Sequence, residues 1–218
     1  WRFWSIATSW FDNSGTYSEP LFVQDLRRVE RKYGDAGYLQ LQVGEPEVVP
    51  EEDGLTVNVP IREGQQFRVG KIDVTGDSTV DIAALRKKLE LKTGDVFNRS
   101  HLNDDIAKLT EHYQDRGFYF AQVTPLSNLS QATEQVDVAF DDRKGPLYFI
   151  RRIELGGNSV TIDPVVRREI PIAEGQLYSQ RKVQLARQRV ERLGYFESVD
   201  FQIEPTDAPD QLDLKVAV

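Results

Sequence analysis

The sequence predicts an α+β fold built from tandem modules, each with the element order β-α-α-β-β. The first observation is a glycine–aromatic pair that ends a helical stretch at Gly37, Gly117 and Gly194. These glycines lie about 80 residues apart, which is a domain length and too long for a solenoid repeat. The second observation is that apolar residues follow the helical period and then the strand period within each module. Two helices would cover one face of a three-stranded mixed sheet.

Two further pairs of segments repeat in the same register. EGQQFRVGKIDVTGD at 63–77 matches KGPLYFIRRIELGGN at 144–158, and LRKKLELKTGDVFNRS at 85–100 matches VRREIPIAEGQLYSQ at 166–180. Independent landmarks in one register indicate a true internal repeat. The repeat predicts three domains, at 1–65, 66–144 and 145–218.

The first module is expected to lack its opening strand. Its long helix is predicted at Glu19–Asp35, followed by strands at Tyr38–Val43 and Leu55–Ile61. The segment Trp1–Trp10 is interpreted as the remainder of the short helix and its exit. Because a module of this size forms only a modest core, the truncated one is expected to be the least stable.

The middle and last modules carry the full element order. In the middle module, Val69, Ile72 and Val74 alternate with polar neighbours, as in a strand with one buried face. Its elements are predicted as a strand at Phe67–Thr75, helices from Asp81 to Leu91 and from Asn98 or Ser100 onward, and strands at Phe118–Val123 and Gln135–Phe140. Those of the last module are predicted at Tyr148–Leu155, Asp163–Ile170, Ser179–Leu193, Tyr195–Glu204 and Gln211–Val218. The glycines expected to form structural turns are Gly37, Gly76, Gly117, Gly157 and Gly194.

Composition and charge argue against several classes of protein. The chain is 39% hydrophobic and 10% aromatic, which is typical of a folded chain. Its net charge of −8 argues against nucleic acid as a partner. It has no cysteine and only two histidines, so we expect no cofactor, no metal and no enzymatic activity. Asp104–Asp105 and Asp141–Asp142 lack the ligand spacing of a calcium loop and are expected to be solvated.

Three stretches of the last module resemble the POTRA domain, the polypeptide-transport-associated repeat. They are RRIELGGN at 151–158, VVRREIPIAEG at 165–175 and RVERLGYFESV at 189–199. The whole array is similar to the periplasmic arm of the Omp85-type assembly factors of the bacterial outer membrane. WRFWSIATSWFDNSGTYSE at 1–19 resembles a middle POTRA domain cut partway. The resemblance implies the third, partial, to the fifth POTRA domain of such an arm.

The resemblance implies a function in the periplasmic portion of an outer membrane protein. POTRA arms bind unfolded outer membrane proteins and accessory lipoproteins, and they pass their clients to the C-terminal β-barrel of the full-length protein. Contact with the membrane is expected only through that barrel. The alternatives are an arm of a TamA-like or two-partner-secretion transporter, and a structural scaffold module.

The expected client site is an exposed sheet edge. An edge strand offers unpaired N–H and C=O groups, and an extended client can pair with them by β-augmentation. In the POTRA fold the second strand is an edge, so Phe118–Val123 and Tyr195–Ile203 are candidates. The latter is guarded by Glu197, Asp200 and Glu204. The preferred edge is uncharged and free of proline, and consists of Tyr38, Leu39, Gln40, Leu41, Gln42 and Val43.

The second expected surface is the short helix of the last module. The resemblance implies that Arg167, Arg168 and Glu169 face an accessory lipoprotein. The alternative is that these charges only solvate the helix, as charges on exposed helix faces ordinarily do.

Overall fold

The computed structural model describes the greater part of the chain. The described residues are 2–5, 19–51, 54–75, 82–157 and 163–218. Gly76, Asp81 and positions 6–10 of the Trp1–Trp10 segment lie outside these ranges. Within them, the helices are too short or too polar to cross a lipid bilayer.

The described residues form five helices and ten strands. In chain order they are β1 (Arg2–Ser5), α1 (Glu19–Asp35), β2 (Gln42–Val43), β3 (Glu47–Glu51), β4 (Gly54–Arg62), β5 (Arg68–Thr75), α2 (Ile82–Lys88), α3 (Arg99–Gln114), β6 (Gln122–Ser130), β7 (Gln135–Arg143), β8 (Phe149–Gly156), α4 (Asp163–Arg167), α5 (Gln180–Arg192), β9 (Asp200–Pro205) and β10 (Gln211–Ala217). This order confirms the α+β class that the sequence predicts.

The chain divides into two compact units. The first unit draws on residues 1–73, 86–105 and 125–139. The second unit draws on residues 74–85, 106–124 and 140–218. These two units differ from the three segments of the sequence repeat, whose boundaries stay a prediction. The segments 1–65, 66–144 and 145–218 are called the first, middle and last modules.

The middle and last modules have three-stranded sheets with the third strand at the centre. The strand orders are β5-β7-β6 and β8-β10-β9. In the last sheet, β10 runs parallel to β8 and antiparallel to β9, so this sheet is mixed. The second strands, β6 and β9, therefore lie at sheet edges, as the resemblance implies.

The first module opens with a strand and not with the remainder of a short helix. β1 pairs antiparallel with β4, so that Arg2 lies opposite Ile61 and Ser5 lies opposite Asn58. The interpretation of Trp1–Trp10 is therefore wrong where the structure describes that segment. The physical reason is that both sides of β4 present backbone N–H and C=O groups, and a partner strand on each side pairs them.

The strand that follows α1 is shorter than the sequence predicts. Of Tyr38–Val43, only the last two residues form β2, which pairs antiparallel with β4. The first four residues form a turn, because the Tyr38 N–H donates to the Tyr33 carbonyl at 2.9 Å and the Leu39 N–H donates to the Gly37 carbonyl at 3.2 Å. After a short break, β3 continues the pairing along β4.

In the other two modules the strand after the long helix also begins later than the sequence predicts. β6 begins at Gln122 rather than at Phe118, and β9 begins at Asp200 rather than at Tyr195. In the middle module the residues after the glycine form the turn out of the long helix, and in the last module they are irregular, so in both the strand starts beyond them. β6 also continues to Ser130, past its predicted end.

Apolar side chains from the helices and the sheets form the cores. The first core is built from Phe22 of α1 and from Val57, Val59 and Ile61 of β4. In the last module, Val166 of α4 joins the inner face of α5, which carries Val183, Ala186 and Val190. The Ser179 hydroxyl caps α5, because it accepts a hydrogen bond from the Lys182 N–H at 3.3 Å.

The short helices end early, and one acidic residue has a structural role. α2 and α4 end before the predicted positions Leu91 and Ile170. Beyond α2, the Asp105 carboxylate accepts hydrogen bonds from the N–H groups of Glu90 at 2.6 Å and Leu91 at 3.0 Å. Asp105 is fully buried, so the prediction that it is solvated is wrong. Its burial is tolerated because these hydrogen bonds satisfy the carboxylate.

Candidate docking surfaces

The strand β6 is the longest edge strand in the part of the chain that the structure describes. Its nine residues, QVTPLSNLS, carry no charge. Leu126 and Leu129 are exposed at 57% and 41%. Pro125 is the one residue in it that lacks a backbone N–H. Natural edges are commonly short, charged or bulged, so the uncharged run of five residues beyond this proline, Leu126 to Ser130, is well suited to accept an extended polypeptide.

A shallow depression lies on the middle sheet beside β6. Its volume is about 270 Å³, and it is lined by Lys71, Asp73, Leu126, Ser127, Asn128, Asp137, Val138 and Ala139. The Asp137 carboxylate accepts a hydrogen bond from the Lys71 N–H at 2.6 Å, and the Lys71 ammonium pairs with Asp73 at 3.3 Å. The charges of the depression are therefore satisfied locally, while Leu126 leaves an apolar surface at its rim.

The edge of the first module is interrupted and guarded. It consists of β2 and β3, where Val48 and Val49 are exposed at 47% and 37%. Acidic residues and prolines lie along it, namely Glu45, Pro46, Glu47, Pro50 and Glu51. Both residue types disfavour the pairing of a further strand. The preferred client segment, Tyr38–Val43, is a strand only in its last two residues.

The edge strand β9 of the last module carries charged side chains that form ion pairs. Asp200 pairs with Arg187 at 3.6 Å, and Glu204 pairs with Lys215 at 2.6 Å. These ion pairs hold charged groups along β9. The arrangement is in line with the interpretation of this strand as a protected edge.

The predicted lipoprotein-docking residues form two local ion pairs. The Arg167 Nε donates to Asp163 at 2.9 Å, which lowers the pKa of the Asp163 carboxyl and raises the pKa of Arg167. The Arg168 Nε lies 3.5 Å from a Glu169 carboxylate oxygen. Arg168 and Glu169 follow α4 instead of belonging to it. Their docking function stays a prediction.

The glycine–aromatic turns of the first and middle modules each hold the segment that follows the module. In the first compact unit, the Phe67 N–H donates to the Gly37 carbonyl at 2.9 Å. In the second, the Tyr148 N–H donates to the Gly117 carbonyl at 2.8 Å. A Cβ on Gly37 would lie 2.7 Å from the Phe67 carbonyl oxygen, and a Cβ on Gly117 would lie 2.9 Å from Leu177 Cδ2. With φ of 84° and 97°, both positions require glycine.

An aspartate two residues before each of these glycines caps the next long helix. Asp35 accepts from the N–H of Ser100 at 2.8 Å and from its hydroxyl at 2.9 Å, at the start of α3. Asp115 accepts from the Ser179 hydroxyl at 3.1 Å and from the Arg181 N–H at 2.7 Å, at the start of α5. Each set of partners lies within one compact unit. A carboxylate satisfies the unpaired N–H groups of a helix start and complements the helix dipole.

Aromatic rings surround the turn of the middle module. The Tyr119 ring packs edge-on against Tyr178 with centroids 5.0 Å apart, and Phe120 packs against Tyr148 at 5.3 Å. Burial raises the pKa of both Tyr119 and Tyr178. Edge-to-face packing adds stability beyond the burial of area, so this cluster supports the turn at Gly117.

Asp35, Asp115 and the far half of β6 were not among the residues predicted from the sequence. The signal for the aspartates is the spacing Asp-x-Gly-aromatic, which occurs at 35–38 and 115–118. The signal for β6 is the length of β7, since the two strands of a hairpin pair along their whole length. The part of β6 beyond Val123 was not predicted because it contains Pro125, and a proline ordinarily marks the end of a strand or a special position in it.

A protein-family model matches two segments of this chain. The model described as POTRA, surface antigen variable number repeat, matches residues 67–143 and 148–218. These two matches cover more than half of the chain. The chain belongs to the POTRA family, which confirms the resemblance seen in its sequence.

The relatives include the assembly factor BamA from several bacteria. The outer membrane protein assembly factor BamA of Nitratidesulfovibrio vulgaris is 31% identical over 214 residues, and that of Neisseria meningitidis serogroup B is 30% identical over 216 residues. Each alignment covers 96% of this chain, and the chain spans 27% of the length of each relative. A crystal structure of Haemophilus influenzae BamA POTRA3-5 superposes with a TM-score of 0.77 at 25% identity, covering 93% of this chain and 82% of that one.

Proposed function

We propose that this chain is part of the periplasmic arm of an outer membrane protein assembly factor, and that it binds unfolded outer membrane proteins by β-augmentation. Its similarity to BamA over 96% of its length supports the assembly-factor reading over a transporter arm or a scaffold module. The observation that carries the binding mode is β6, a nine-residue uncharged strand at a sheet edge. An extended client pairs with the outward N–H and C=O groups of this strand.

Pairing of this kind gives weak and reversible binding. About half of the residues of an edge strand turn their N–H and C=O groups outward. Each net hydrogen bond contributes about 0.5–1.5 kcal/mol, so the pairing supplies a few kcal/mol in total. Ordering of the client opposes this gain. The resulting affinity suits a surface that receives many sequences and releases them again.

The edge is tested by placing a positive charge on it. The probe is a soluble peptide of about ten residues with alternating apolar and polar side chains, the pattern of an outer-membrane strand. We expect Asn128→Lys in β6 to weaken binding about tenfold, because an edge lysine disfavours strand addition. The measurement is an NMR titration of the labelled chain, followed at the backbone amides.

The matched control is Val49→Lys, which places the same charge on the edge of the first module. The proposal expects wild-type binding from this variant. Loss of binding in Val49→Lys, with wild-type binding in Asn128→Lys, would move the site to β3 and reject β6. Amide shifts confined to the helices would reject β-augmentation altogether.

For the last module we propose that Arg167, Arg168 and Glu169 dock an accessory lipoprotein. Arg168 is supported best, because its side chain is 65% exposed and its one described ion pair, with Glu169, is long at 3.5 Å. We expect Arg168→Glu to weaken binding of the purified lipoprotein, measured by calorimetry. Arg143→Glu, at another exposed arginine, serves as the control. Equal binding by both variants would reject this surface.

A further inference from the structure

An exposed apolar patch lies where the segment after the middle module packs on the turn at Gly117. Its members are Phe120, Leu147, Phe149 and Leu177, which are exposed at 48%, 40%, 41% and 40%. A Cβ on Gly117 would lie 2.9 Å from Leu177 Cδ2 and 3.1 Å from Leu147 Cδ2. Phe149 forms an isolated β-bridge with Leu177, and Phe120 lies in the turn itself. All four belong to one compact unit, and they are called the junction patch.

The corresponding positions after the first module are mostly polar. The N–H groups that reach the two glycine carbonyls, those of Phe67 and Tyr148, fix the correspondence. Counted from these residues and from the glycines, the counterparts of the junction patch are Gln40, Gln66, Arg68 and Val96. The first three of them are exposed, as their counterparts are. The two turns therefore share one backbone arrangement but differ in the chemistry of the surface.

Polar side chains serve this arrangement well. The Gln66 Nε2 donates to the Ala36 carbonyl at 2.9 Å, and the Arg68 Nη1 donates to the Gly94 carbonyl at 3.0 Å. Since the same turn forms with polar residues, the fold does not require exposed apolar side chains at the junction patch. Clustered apolar side chains that the fold does not require are typical of an interaction surface.

The position of the last residue does not account for the exposure of the junction patch. Phe149 is the first residue of β8, whereas the Val218 N–H donates to the Gly156 carbonyl at 3.1 Å at the other end of this strand. The strand has eight residues, so its ends lie roughly 20 Å apart. The junction patch is therefore remote from the end of the chain.

The size of the junction patch fits a short segment better than a second copy of the chain. A large aromatic side chain buries about 150–250 Å², so four side chains that are each less than half exposed offer roughly 300 Å². A stable interface between two folded proteins takes about 800 Å² from each partner. One or two side chains of an extended polypeptide would cover the junction patch.

Ring geometry favours an aromatic occupant. The Phe120 ring stands at 74° to both the Tyr119 ring and the Tyr148 ring, with centroids 4.8 Å and 5.3 Å away. These rings already pack edge to face, and a further ring extends such a cluster with a gain beyond the burial of area.

Charge does not distinguish an occupant of the junction patch. Residues of both signs flank it in the chain, among them Lys144 and Lys182 on one side and Asp115 and Glu174 on the other. Apolar contact therefore selects what binds there.

We propose that the junction patch binds aromatic side chains of unfolded outer membrane proteins. The client is that of the proposed function, on which this surface therefore rests, but the surface uses no residue of β6. Strands of outer membrane barrels carry aromatic residues at both membrane interfaces, and these are exposed to water until the barrel forms. A client ring packs against Phe120 and Phe149, and the two leucines complete the contact. Side-chain capture adds a preference for aromatic segments to main-chain pairing, which ignores sequence.

The experiment uses two peptides that differ in one side chain and cannot add a strand to a sheet edge. They are GSPFPSG and GSPSPSG, in which the prolines remove N–H groups from the main chain. Each is titrated to about 2 mM against the labelled chain, and the amide signals of residues 119–121, 147–149 and 176–178 are followed. We expect the phenylalanine peptide to bind with a Kd of about 1 mM and the serine peptide to bind at least about fivefold more weakly.

An exchange of side chains between the two turns supplies the matched variants. The triple variant Phe120→Gln, Leu147→Gln and Phe149→Arg should fold, because the first module's turn forms with these residues, and it should lose the response. The reciprocal variant Gln40→Phe, Gln66→Leu and Arg68→Phe should gain a response at residues 39–41 and 66–68. Circular dichroism checks the fold of both. A response that survives the first exchange, or no gain from the second, would overturn the proposal.

A longer peptide tests the client. The alternating peptide of the proposed function, with phenylalanine at its apolar positions, should shift the same amides, and it should still do so in Asn128→Lys. Failure of the edge β6 is thereby distinguished from failure of the junction patch. A response to GSPFPSG without a response to the alternating peptide would reject an outer membrane client.

Two other occupants would give different results. Shifts of the same amides as the concentration of the chain alone rises would assign the junction patch to a second copy. Broadening of these amides by phosphatidylglycerol vesicles, without a response to the phenylalanine peptide, would assign it to lipid. Either result would overturn the proposal.

Discussion

Gly37 and Gly117 combine a positive φ with a neighbour that leaves no space for a side chain. Gly37 is the tighter of the two, because the atom nearest to its absent Cβ is a backbone oxygen, which cannot rotate away. Gly94 has a similar φ of 92°, but a Cβ there would meet no described atom within 4 Å. The two kinds of cost, backbone strain and crowding, can therefore be separated experimentally.

We predict that Gly37→Ala destabilises the chain more than Gly94→Ala does. Both variants carry the strain of an alanine at positive φ, about 1–2 kcal/mol. Gly37→Ala adds the displacement of the Phe67 carbonyl, a further cost of about 1–3 kcal/mol. Urea unfolding followed by circular dichroism measures both variants. Equal midpoints would show that the contact at Gly37 has no energetic consequence.

At the scale of elements, the long helices were predicted well and the strands less well. α1 has the predicted bounds, because its apolar stripe is read directly from the helical period. The strands after the long helices begin later than predicted, since the glycine–aromatic pair starts a turn and the alternation of polar and apolar residues continues through it. β1 was missed because it pairs with a strand that lies far away in the sequence.

Errors in the predicted bounds of the strands also affected the choice of candidate sites. From the sequence we looked for an uncharged edge and chose Tyr38–Val43, which is mostly a turn. β6 was underestimated because its apolar residues, Leu126 and Leu129, do not alternate, so no strand period marks them. The interpretation of β9 as a charged edge needed only its acidic residues, and two of the three, Asp200 and Glu204, do lie along that strand, whereas Glu197 precedes it. Local charge is therefore read from a sequence more reliably than strand length.

At the scale of the whole molecule, one repeated module provides surfaces of different kinds. The first module has an interrupted edge, the middle module has a long uncharged edge, and the last module has an edge whose charged side chains form ion pairs. Main-chain pairing needs no particular client sequence, whereas charge pairing selects its partner. A repeated fold can therefore combine tolerant and selective binding by changing only a few exposed residues.

Amide hydrogen exchange along β6 tests the central claim, main-chain pairing at this edge, most directly. The chain is compared with and without a saturating amount of the alternating peptide of about ten residues. Augmentation predicts that every second amide between Leu126 and Ser130 exchanges at least about tenfold more slowly, since alternate N–H groups of an edge strand point outward. The amides of β9 should be unaffected. Unchanged exchange along β6, with slowing at the helices alone, would contradict the claim.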